Sequence, residues 1–449
     1  MSMRQRERNA VMRPMDDDRP KNFTELLPRG PMQVKNTVVG LLKENGDGGI
    51  VVPDPSFKET NFGLVYIDRA FMNGAPYNMV VVAEVVNPTA VDGILHGKII
   101  EVLGDIGNND VKMLTVMHQF GLSRTFPDFV TDEVKDLPFS PTDEEVEAEI
   151  TNGRKDLRHL LTITIDGEEA KDLDDAISIE PLEDNQYRLY VHIADVSHYV
   201  KEGTELDKEA MLRGTSVYLV DRVIPMLPPK LSNGLCSLNP DLPRLTLTAE
   251  MVIDENGNTL YGEVYESVIK SDMRMNYNEC FRILFRPEKS DAEKYGDIIQ
   301  MLWDMKRLTD ILKTYRNDRG AINFDLPETK VILDDDGNPT EIMPYPTNYC
   351  HGMIEEFMIC ANEFIAKKFA MLNYPFVYRV HEEPDRMKIT RFCTVARNFG
   401  ALGTIRGKIT PKAINDYMAT IRDESVMPSL DTILLRSMAK ARYAPENLG

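Results

Sequence analysis

Four aspartates within ten positions restrict the fold of this chain more than any other feature. Residues 162–165, Thr-Ile-Thr-Ile, alternate as a half-buried strand does, and they lead directly into Asp166, Asp172, Asp174 and Asp175. Carboxylates this close together, beside buried β-branched side chains, cannot all ionise in a water-poor site unless a cation neutralises them. The pattern therefore predicts a cation site at a strand end or, since 72 of the 449 residues are acidic, a solvated acidic turn.

Mg²⁺ fits this set of donors well. The ion takes oxygen ligands, keeps several waters and is usually held by one or two carboxylates together with substrate phosphate. Four aspartates could therefore hold two ions, or one ion with a network of water molecules. Such a site is suited to the cleavage of phosphodiesters, so the residues by themselves indicate metal-assisted hydrolysis.

The overall charge argues against a protein that coats nucleic acid through general attraction. Lys and Arg number 52 against 72 Asp and Glu, which leaves a formal net charge of −20. A nucleic-acid site on this chain must then be local. The length of 449 residues exceeds what one hydrophobic core normally organises, so we expect two or more domains.

Cysteine usage and hydropathy indicate the cellular compartment. The five cysteines are widely spaced and form no C-x-x-C pair, which fits neither a disulfide framework nor a zinc site. No apolar run of about 18 residues is present, and the polar first 30 residues contain no signal-peptide core. We expect a cytoplasmic protein that is not inserted in a membrane.

Strand and helix patterns divide the chain into four segments. Residues 1–30 are charged and lack apolar periodicity, which predicts a flexible tail. Residues 31–105 contain five short β-branched runs between turn residues, which predicts an RNA-binding β-barrel of the OB or cold-shock type. Residues 106–160 are interpreted as a connector, and residues 161–449 as a mixed α+β domain. The predicted fold class is multidomain, a barrel followed by this larger domain.

Three aromatic residues of the barrel segment could contact RNA. Phe62, Tyr66 and Tyr77 lie in or beside predicted strands, where OB barrels present aromatics that stack on bases. Basic residues are few in this segment, so a place in the barrel core is an equally good interpretation.

Local signals predict several elements of the later segments. Apolar residues at helical spacing indicate core-packing helices over residues 295–315 and 353–371. Thr142 followed by three acidic residues is typical of a helix N-cap. Residues 330–343 are expected to form a hairpin whose Asp-rich centre follows from turn chemistry.

The aspartates open a series of motifs that closely resembles the RNB exoribonuclease domain, especially its RNase R branch. The resemblance covers residues 33–449 and is weakest over the barrel. It implies a Mg²⁺-dependent 3′-to-5′ exoribonuclease that releases nucleoside 5′-monophosphates from single-stranded RNA by metal-assisted attack of water. The principal matching stretches are Thr164-Ile-Asp166-Gly, Asp172-Leu-Asp174-Asp175-Ala, His192-Ile-Ala-Asp195, Gly214-Thr-Ser-Val-Tyr218, Leu231-Ser-Asn-Gly-Leu-Cys-Ser-Leu-Asn239 and Arg319-Gly-Ala-Ile-Asn-Phe324.

By this resemblance the four aspartates are the catalytic residues. Asp166, Asp174 and Asp175 fall on metal-binding positions of the family, with Asp166 and Asp175 most directly on the ion. Asp174 is implied to be essential for the chemical step, and Asp172 to support the cluster.

Substrate-binding roles are carried over in the same way. Tyr218 and Phe324 fall where family aromatics clamp the end of the RNA, and Glu355 falls where a carboxylate lies near the terminal nucleotide. Stacking accepts any sequence, because every base has a π-face. Without the resemblance, the two aromatics would be assigned to the core and Glu355 to a helix surface.

Three further residues lie in family-like motifs without an implied chemical role. They are His192, Asp195 and His381. We expect them at core or supporting positions with satisfied hydrogen bonds.

The resemblance also implies a longer parent protein. The family continues into a helical segment, a Thr-Ser-Pro-Ile-Arg-Arg motif and a C-terminal RNA-binding barrel, so we expect the catalytic domain to be partial in this chain. The expected cofactor is Mg²⁺ and the expected partner is single-stranded RNA. We expect a monomer, with membership of an RNA-degradation complex left open. The alternative function is a catalytically impaired RNA-binding fragment that lacks the family arginine.

Overall fold

The computed structural model describes most of the chain and divides it into two compact units. The first unit contains the described residues up to Phe126 and Glu205–Met226, and the second contains the remainder. The predicted tail, residues 1–30, and Phe62 lie outside the described residues. The described residues are 37–53, 63–91, 94–322, 324, 328–405 and 407–448.

Strands and helices alternate irregularly along the chain. The strands are β1 (Thr37–Asn45), β2 (Gly48–Pro53), β3 (Val65–Ile67), β4 (Met79–Val91), β5 (Ile94–Asp105), β6 (Lys155–Asp156), β7 (Ile163–Asp166), β8 (Asp175–Pro181), β9 (Tyr187–Ala194), β10 (Val217–Tyr218), β11 (Val223–Ile224), β12 (Pro243–Ile253), β13 (Thr259–Lys270), β14 (Met273–Asn276), β15 (Thr329–Leu333), β16 (Pro339–Pro344), β17 (Tyr378–Val380) and β18 (Arg442–Ala444). The helices are α1 (Asn109–Gln119), α2 (Asp128–Val134), α3 (Asp143–Thr151), α4 (Val196–Tyr199), α5 (Glu205–Arg213), α6 (Tyr277–Phe285), α7 (Asp291–Tyr295), α8 (Asp297–Asp318), α9 (Tyr349–Met371), α10 (Arg386–Asn398), α11 (Pro411–Met418) and α12 (Met427–Ser437).

A closed five-stranded barrel forms the greater part of the first unit. Its strand order is β1-β2-β3-β5-β4, and the one parallel pair is β3 with β5. Alternating residues such as Val38, Leu42 and Val81 point inward and are almost fully buried. Among the described residues, each barrel strand pairs with two neighbours, which is how small barrels avoid pairing with other chains. The prediction of an N-terminal OB-type barrel is confirmed.

The described barrel aromatics occupy different environments. Tyr77 packs against the barrel core and donates a hydrogen bond of 3.1 Å to the carbonyl oxygen of Gly48. The ring of Tyr66 is half-buried and meets His96 edge-on at 5.4 Å between centroids. The core interpretation is confirmed for Tyr77, whereas a base-stacking role for Tyr66 stays a prediction.

A seven-stranded sheet forms the centre of the second unit. Its order is β14-β7-β8-β9-β12-β13-β6, in which the two outermost pairs are parallel and the inner pairs antiparallel. Apolar strand residues such as Ile163, Ile177 and Met251 pack against helices α6, α8 and α9. Helices α8 and α9 confirm the two core-packing helices predicted from periodicity, and the mixed sheet confirms the α+β fold class.

A row of buried polar side chains crosses the same sheet. Neighbouring members are 2.7 Å apart from Thr162 to Ser178, 3.1 Å from Ser178 to His192, 2.8 Å from His192 to Thr248 and 2.6 Å from Thr248 to Ser267. Each is 1% exposed or less, so these hydrogen bonds replace the ones that burial removes. Burial lowers the pKa of His192 to about 3, which keeps the imidazole neutral. The expectation of a satisfied core position is confirmed for His192.

Asp195 also lies in the core, with an ionic partner. It is 3% exposed, accepts a hydrogen bond of 2.6 Å from Arg154 and caps α4 by accepting from the backbone N–H of His198. Arg154 also pairs with Glu149 of α3 at 2.7 Å, which ties that helix to the sheet. His381 differs, because it follows the short strand β17 and is exposed, so a core position was wrong for this residue, while a supporting position stays a prediction.

Two local predictions are confirmed by backbone hydrogen bonds. Thr142 and Glu145 form a reciprocal capping box at the start of α3. In the turn between β15 and β16, Asp334 accepts from the backbone N–H groups of Asp336 and Asn338 at 3.0 and 2.8 Å. Its carboxylate therefore stabilises a turn, as expected.

A second, helical core completes this unit. Helices α10, α11 and α12 pack around side chains that include Phe392, Ile414 and Leu430. All five cysteines are free thiols in this structure. No helix in the described part of the chain has the length and apolar character needed to cross a bilayer.

The packing of α8 on the sheet makes a stability prediction. Leu308 is fully buried in this core, so Leu308→Ala should lower the free energy of unfolding of the second unit by about 2–5 kcal/mol. Urea unfolding followed by fluorescence measures this, because the single tryptophan, Trp303, lies on the same helix. The matched control Leu260→Ala removes a side chain that is 55% exposed and should change stability by less than about 0.5 kcal/mol. Equal effects of the two substitutions would contradict the assigned core.

Candidate active site

Two adjacent strand ends and the loop between them bring the four aspartates together. Asp166 is the last residue of β7 and Asp175 is the first residue of β8, and these strands pair antiparallel. Asp172 and Asp174 lie in the connecting loop, directly before β8. Strand ends in a packed sheet have little freedom, so two of the four carboxylates are fixed by the core beneath them.

Burial and mutual repulsion raise the pKa of three of these carboxyls. The pKa of Asp166 is raised to about 7, mainly by burial and then by Asp175, while the charge of Arg274 partly opposes the shift. The pKa of Asp175 is raised to about 6 by burial and by Asp174. Asp174 is more exposed, and the surrounding protein together with Asp172 raises its pKa as well. The cluster therefore retains protons near neutral pH when no cation is bound.

Unpartnered oxygens mark the inner side of this cluster. Oδ2 of Asp166 and Oγ1 of Thr164 are buried and have no hydrogen-bond partner among the described residues. The two residues are two positions apart on β7, so they share one side of the strand. A buried carboxylate oxygen without a partner is costly, and a hard cation would supply the missing interaction.

The residues present fit Mg²⁺ in donor chemistry, although they do not form a complete ligand cage. Within the described ranges, no group of three or more His, Cys, Asp or Glu side chains is arranged to hold a metal ion. Mg²⁺ usually takes only one or two protein carboxylates and completes its shell with water and substrate phosphate. Asp166 and Asp175, with Asp174 beside them, would be the protein ligands on this basis, and their metal roles stay predictions.

Two residues that were assigned no role by sequence reasoning hold the loop that carries Asp172 and Asp174. Nη2 of Arg274 donates to the carbonyl oxygens of Glu168 at 2.9 Å and Ala170 at 2.7 Å. Oγ of Ser237 donates to the carbonyl oxygen of Lys171 at 2.8 Å and accepts from the N–H of Leu173 at 3.1 Å. Ser237 belongs to a quoted family motif, but nothing in the local sequence shows that its partner is this loop.

The three predicted substrate-binding residues lie on separate elements. Tyr218 is 66% exposed on the hairpin of β10 and β11, in the first unit. Phe324 is half-buried and packs against the helical core of α10, α11 and α12, whereas Glu355 is exposed on α9; both belong to the second unit. Their roles in binding RNA stay predictions.

Arg213 supports the hairpin that carries Tyr218. Its guanidinium donates to the carbonyl oxygens of Pro225 at 3.1 Å and Thr125 at 2.8 Å, and it pairs with Glu209 at 2.8 Å. One side chain thereby joins three parts of the unit. They are the end of β11, helix α5 and the loop after α1 that contains Thr125. Neither composition nor spacing indicates this arginine, because its partners are mostly backbone groups.

Comparison with known proteins agrees with this fold. Residues 154–449 match the RNB domain family, and residues 51–127 match the cold shock domain family. The chain belongs to the RNB family, which confirms the resemblance seen in its motifs.

Individual relatives and solved structures indicate the RNase R branch of this family. Ribonuclease R of Thermotoga maritima is 40% identical over 415 residues, which make up 92% of this chain and 57% of that protein. Two structures of Mycoplasma genitalium RNase R, one with double-stranded RNA and one with ribose-methylated single-stranded RNA, match with a TM-score of 0.83 and 25% identity. Each match covers 92% of this chain. It covers 72% of the solved chain in the double-stranded RNA complex and 64% of the solved chain in the single-stranded RNA complex. The chain spans about half the length of the curated relatives it matches.

The raised pKa of Asp166 predicts how stability depends on pH in the absence of divalent cations. The ordinary pKa of an Asp carboxyl is about 4, so between pH 4 and 7 the folded protein keeps a proton that the unfolded chain releases. This group's contribution to the free energy of unfolding is complete below about pH 4 and is lost as the pH rises through 7. Asp166→Asn removes that dependence, so the variant should gain stability relative to the wild type as the pH rises.

Urea unfolding in EDTA at several values between pH 4.5 and pH 8 measures this difference. The exposed strand residue Glu341 provides a control, since Glu341→Gln should give a curve parallel to the wild type. A constant difference between Asp166→Asn and the wild type across this range would contradict the assigned protonation.

Proposed function

We propose that this chain carries the acidic site of a 3′-to-5′ exoribonuclease, which hydrolyses single-stranded RNA from its 3′ end and releases nucleoside 5′-monophosphates. The observation that carries the proposal is the cluster of Asp166, Asp174 and Asp175, whose raised pKa values and unpartnered buried oxygen favour a bound cation. Membership of the RNB family and similarity to Ribonuclease R support the reaction class. The RNA complexes of M. genitalium RNase R support the substrate class.

The two strand-end aspartates are the proposed cation holders. Asp166 and Asp175 lie on paired strands above a packed core, so their carboxylates are placed before substrate arrives. Asp166 gives up the proton that burial favours when it takes this role. Mg²⁺, when bound, supplies charge stabilisation for the phosphate oxygens and lowers the pKa of water.

Asp174 is the proposed partner of the attacking water. It is more exposed than Asp166 and Asp175, so an incoming phosphodiester can reach its carboxylate. Burial by the surrounding protein, and then the neighbouring charge of Asp172, raises the pKa of Asp174, which makes it a better proton acceptor at neutral pH. Asp172 would therefore act through Asp174 rather than on the substrate.

Binding of the RNA is proposed to rest on stacking instead of general charge attraction. Exposed Tyr218 and half-buried Phe324 offer rings for the terminal bases, with Glu355 near the terminal nucleotide. A net charge of −20 disfavours diffuse attraction, whereas stacking depends little on the overall charge. The barrel of the first unit is proposed as a further RNA-binding surface.

A cleavage assay with labelled RNA tests this function. The purified chain is incubated with 5′-labelled single-stranded RNA and Mg²⁺, and products are resolved on a denaturing gel. We expect a descending ladder that EDTA abolishes and that Asp174→Asn slows by about 100-fold or more, because general-base contributions are of this size. The matched control is Asp184→Asn in the same unit, since Asp184 is exposed and has a positive φ that Asn also tolerates.

Two results would contradict the proposal. A ladder that persists unchanged in Asp174→Asn would assign the cleavage to another site or a contaminant. RNA that stays intact while its mobility shifts in a native gel would indicate an RNA-binding protein without turnover.

Stacking at Tyr218 is tested separately from cleavage. In the Asp174→Asn background, Tyr218→Ala should weaken binding of fluorescent single-stranded RNA by roughly 5- to 150-fold, the equivalent of about 1–3 kcal/mol for one stacked base. Tyr443→Ala is the control, because the two tyrosines are 66% and 67% exposed. Equal dissociation constants for both variants in fluorescence anisotropy would exclude a stacking role for Tyr218.

A further inference from the structure

The loop that joins Asp166 to Asp174, residues 167–173, has no regular secondary structure of its own. One internal backbone hydrogen bond, from the N–H of Ala170 to the carbonyl oxygen of Gly167, is formed within it. Like charges at both ends and at Asp172 favour an open, expanded loop. Contacts from outside the loop must therefore determine where Asp172 and Asp174 lie.

Ser237 provides the first of these contacts, with both functions of its hydroxyl group. Oγ donates to the carbonyl oxygen of Lys171 and accepts from the N–H of Leu173, so it joins the residues on either side of Asp172. The next backbone N–H, of Leu238, donates to the carbonyl oxygen of Leu173 at 2.8 Å. Because Ser237 is fully buried, these bonds are shielded from competing water.

Arg244 holds Ser237 in place. Its Nε donates to the carbonyl oxygen of Ser237 at 2.7 Å, and Nη1 donates to Oγ of Ser140 at 2.9 Å and to the carbonyl oxygen of Pro243 at 2.9 Å. The side chain is 1% exposed, and burial lowers its pKa. A buried cation with these fixed partners is a rigid support for the serine.

Arg274 provides the second contact, at the start of the loop. It belongs to β14, which pairs in parallel with β7, and its Nη2 lies against the carbonyl oxygens of Glu168 and Ala170. The planar guanidinium donates to both carbonyl groups and thereby closes the turn after Asp166. The loop is thus held near both of its ends by residues more than 60 positions away in the chain.

We propose that Ser237 and Arg274 are positioning residues for the cation site, which fix the loop so that Asp172 and Asp174 stay beside Asp166 and Asp175. The inference rests on the proposed function, because it concerns the same site. Neither side chain touches the cation or the RNA in this role. Outer contacts of this kind typically contribute 10- to 100-fold to metal affinity.

Arg274 has two effects on cation binding that oppose each other, one through its charge and one through its loop contacts, and this makes it the more informative of the two residues. Its positive charge disfavours a nearby cation, so charge alone predicts tighter binding in Arg274→Gln. Loss of the loop contacts predicts weaker binding. A decrease in affinity therefore identifies positioning as the larger effect.

Mn²⁺ is the probe, and its binding to the whole 449-residue chain is followed by electron paramagnetic resonance without RNA. We expect Ser237→Ala and Arg274→Gln each to weaken Mn²⁺ binding by about 10-fold or more. The matched control is Ser271→Ala, because Ser271 is also buried but bonds to carbonyls of Thr162 and Met273. Its Mn²⁺ affinity should stay within about twofold of the wild type, and unfolding in EDTA should show all variants folded.

Kinetics provide a second readout. In the cleavage assay, Ser237→Ala should lower kcat and raise the Mg²⁺ concentration that gives the half-maximal rate. The KM for RNA should change by less than about threefold, since the proposed RNA contacts lie elsewhere. Arg274 is exposed, so Arg274→Gln keeps the test valid if Ser237→Ala does not fold.

The outcomes separate this inference from the proposed function. Wild-type Mn²⁺ affinity in the folded positioning variants, combined with weak binding by Asp166→Asn, would overturn the role of Ser237 and Arg274 alone. Undiminished binding by Asp166→Asn would instead overturn the cation site itself.

Discussion

Packing of the central sheet against helices α8 and α9 is the interaction on which the acidic site of the second unit depends. Burial raises the pKa of both strand-end carboxyls, with a further contribution from Asp175 for Asp166, to about 7, and from Asp174 for Asp175, to about 6. An isolated loop would relieve the repulsion between these carboxylates by moving apart. The sheet prevents that, because residues such as Ile163 and Ile177, next to the aspartates, are fixed in the core beneath α8 and α9. The packing energy of the core thus maintains an electrostatically unfavourable site.

Buried polar side chains favour one strand register in this sheet. The row that includes Ser178, His192 and Thr248 satisfies its own hydrogen bonds, so sliding one strand past another would leave several buried groups unpaired. Arg154, directly before β6, and Arg244, near the start of β12, act similarly, since each bonds to fixed oxygens at low exposure. Apolar packing alone would tolerate small shifts, whereas these bonds favour one register and thereby one placement of the strand ends.

The charge distribution limits how an acidic chain could bind RNA in the proposed function. Acidic residues outnumber basic ones by 20, so binding must come from local features. In the proposed function, a bound cation would neutralise the aspartates where phosphate approaches, and aromatic side chains would offer stacking surfaces that are insensitive to net charge. The barrel and the Tyr218 hairpin belong to one compact unit and the aspartates to the other. The proposed RNA contacts are therefore divided between the two units, because Phe324 and Glu355 belong to the same unit as the aspartates.

The sequence by itself determined the elements with strong local signals. These are the five barrel strands, helices α8 and α9, the Thr142 capping box, the Asp334 turn and the clustering of four aspartates after β7. Periodicity, capping and turn chemistry act over a few residues, so they are visible in the chain. Only the tertiary structure decided the roles of Ser237, Arg244 and Arg274, the exposure of His381 and the order of the aspartate pKa values. These depend on hydrogen bonds to distant backbone groups and on burial, and neither leaves a pattern in neighbouring residues.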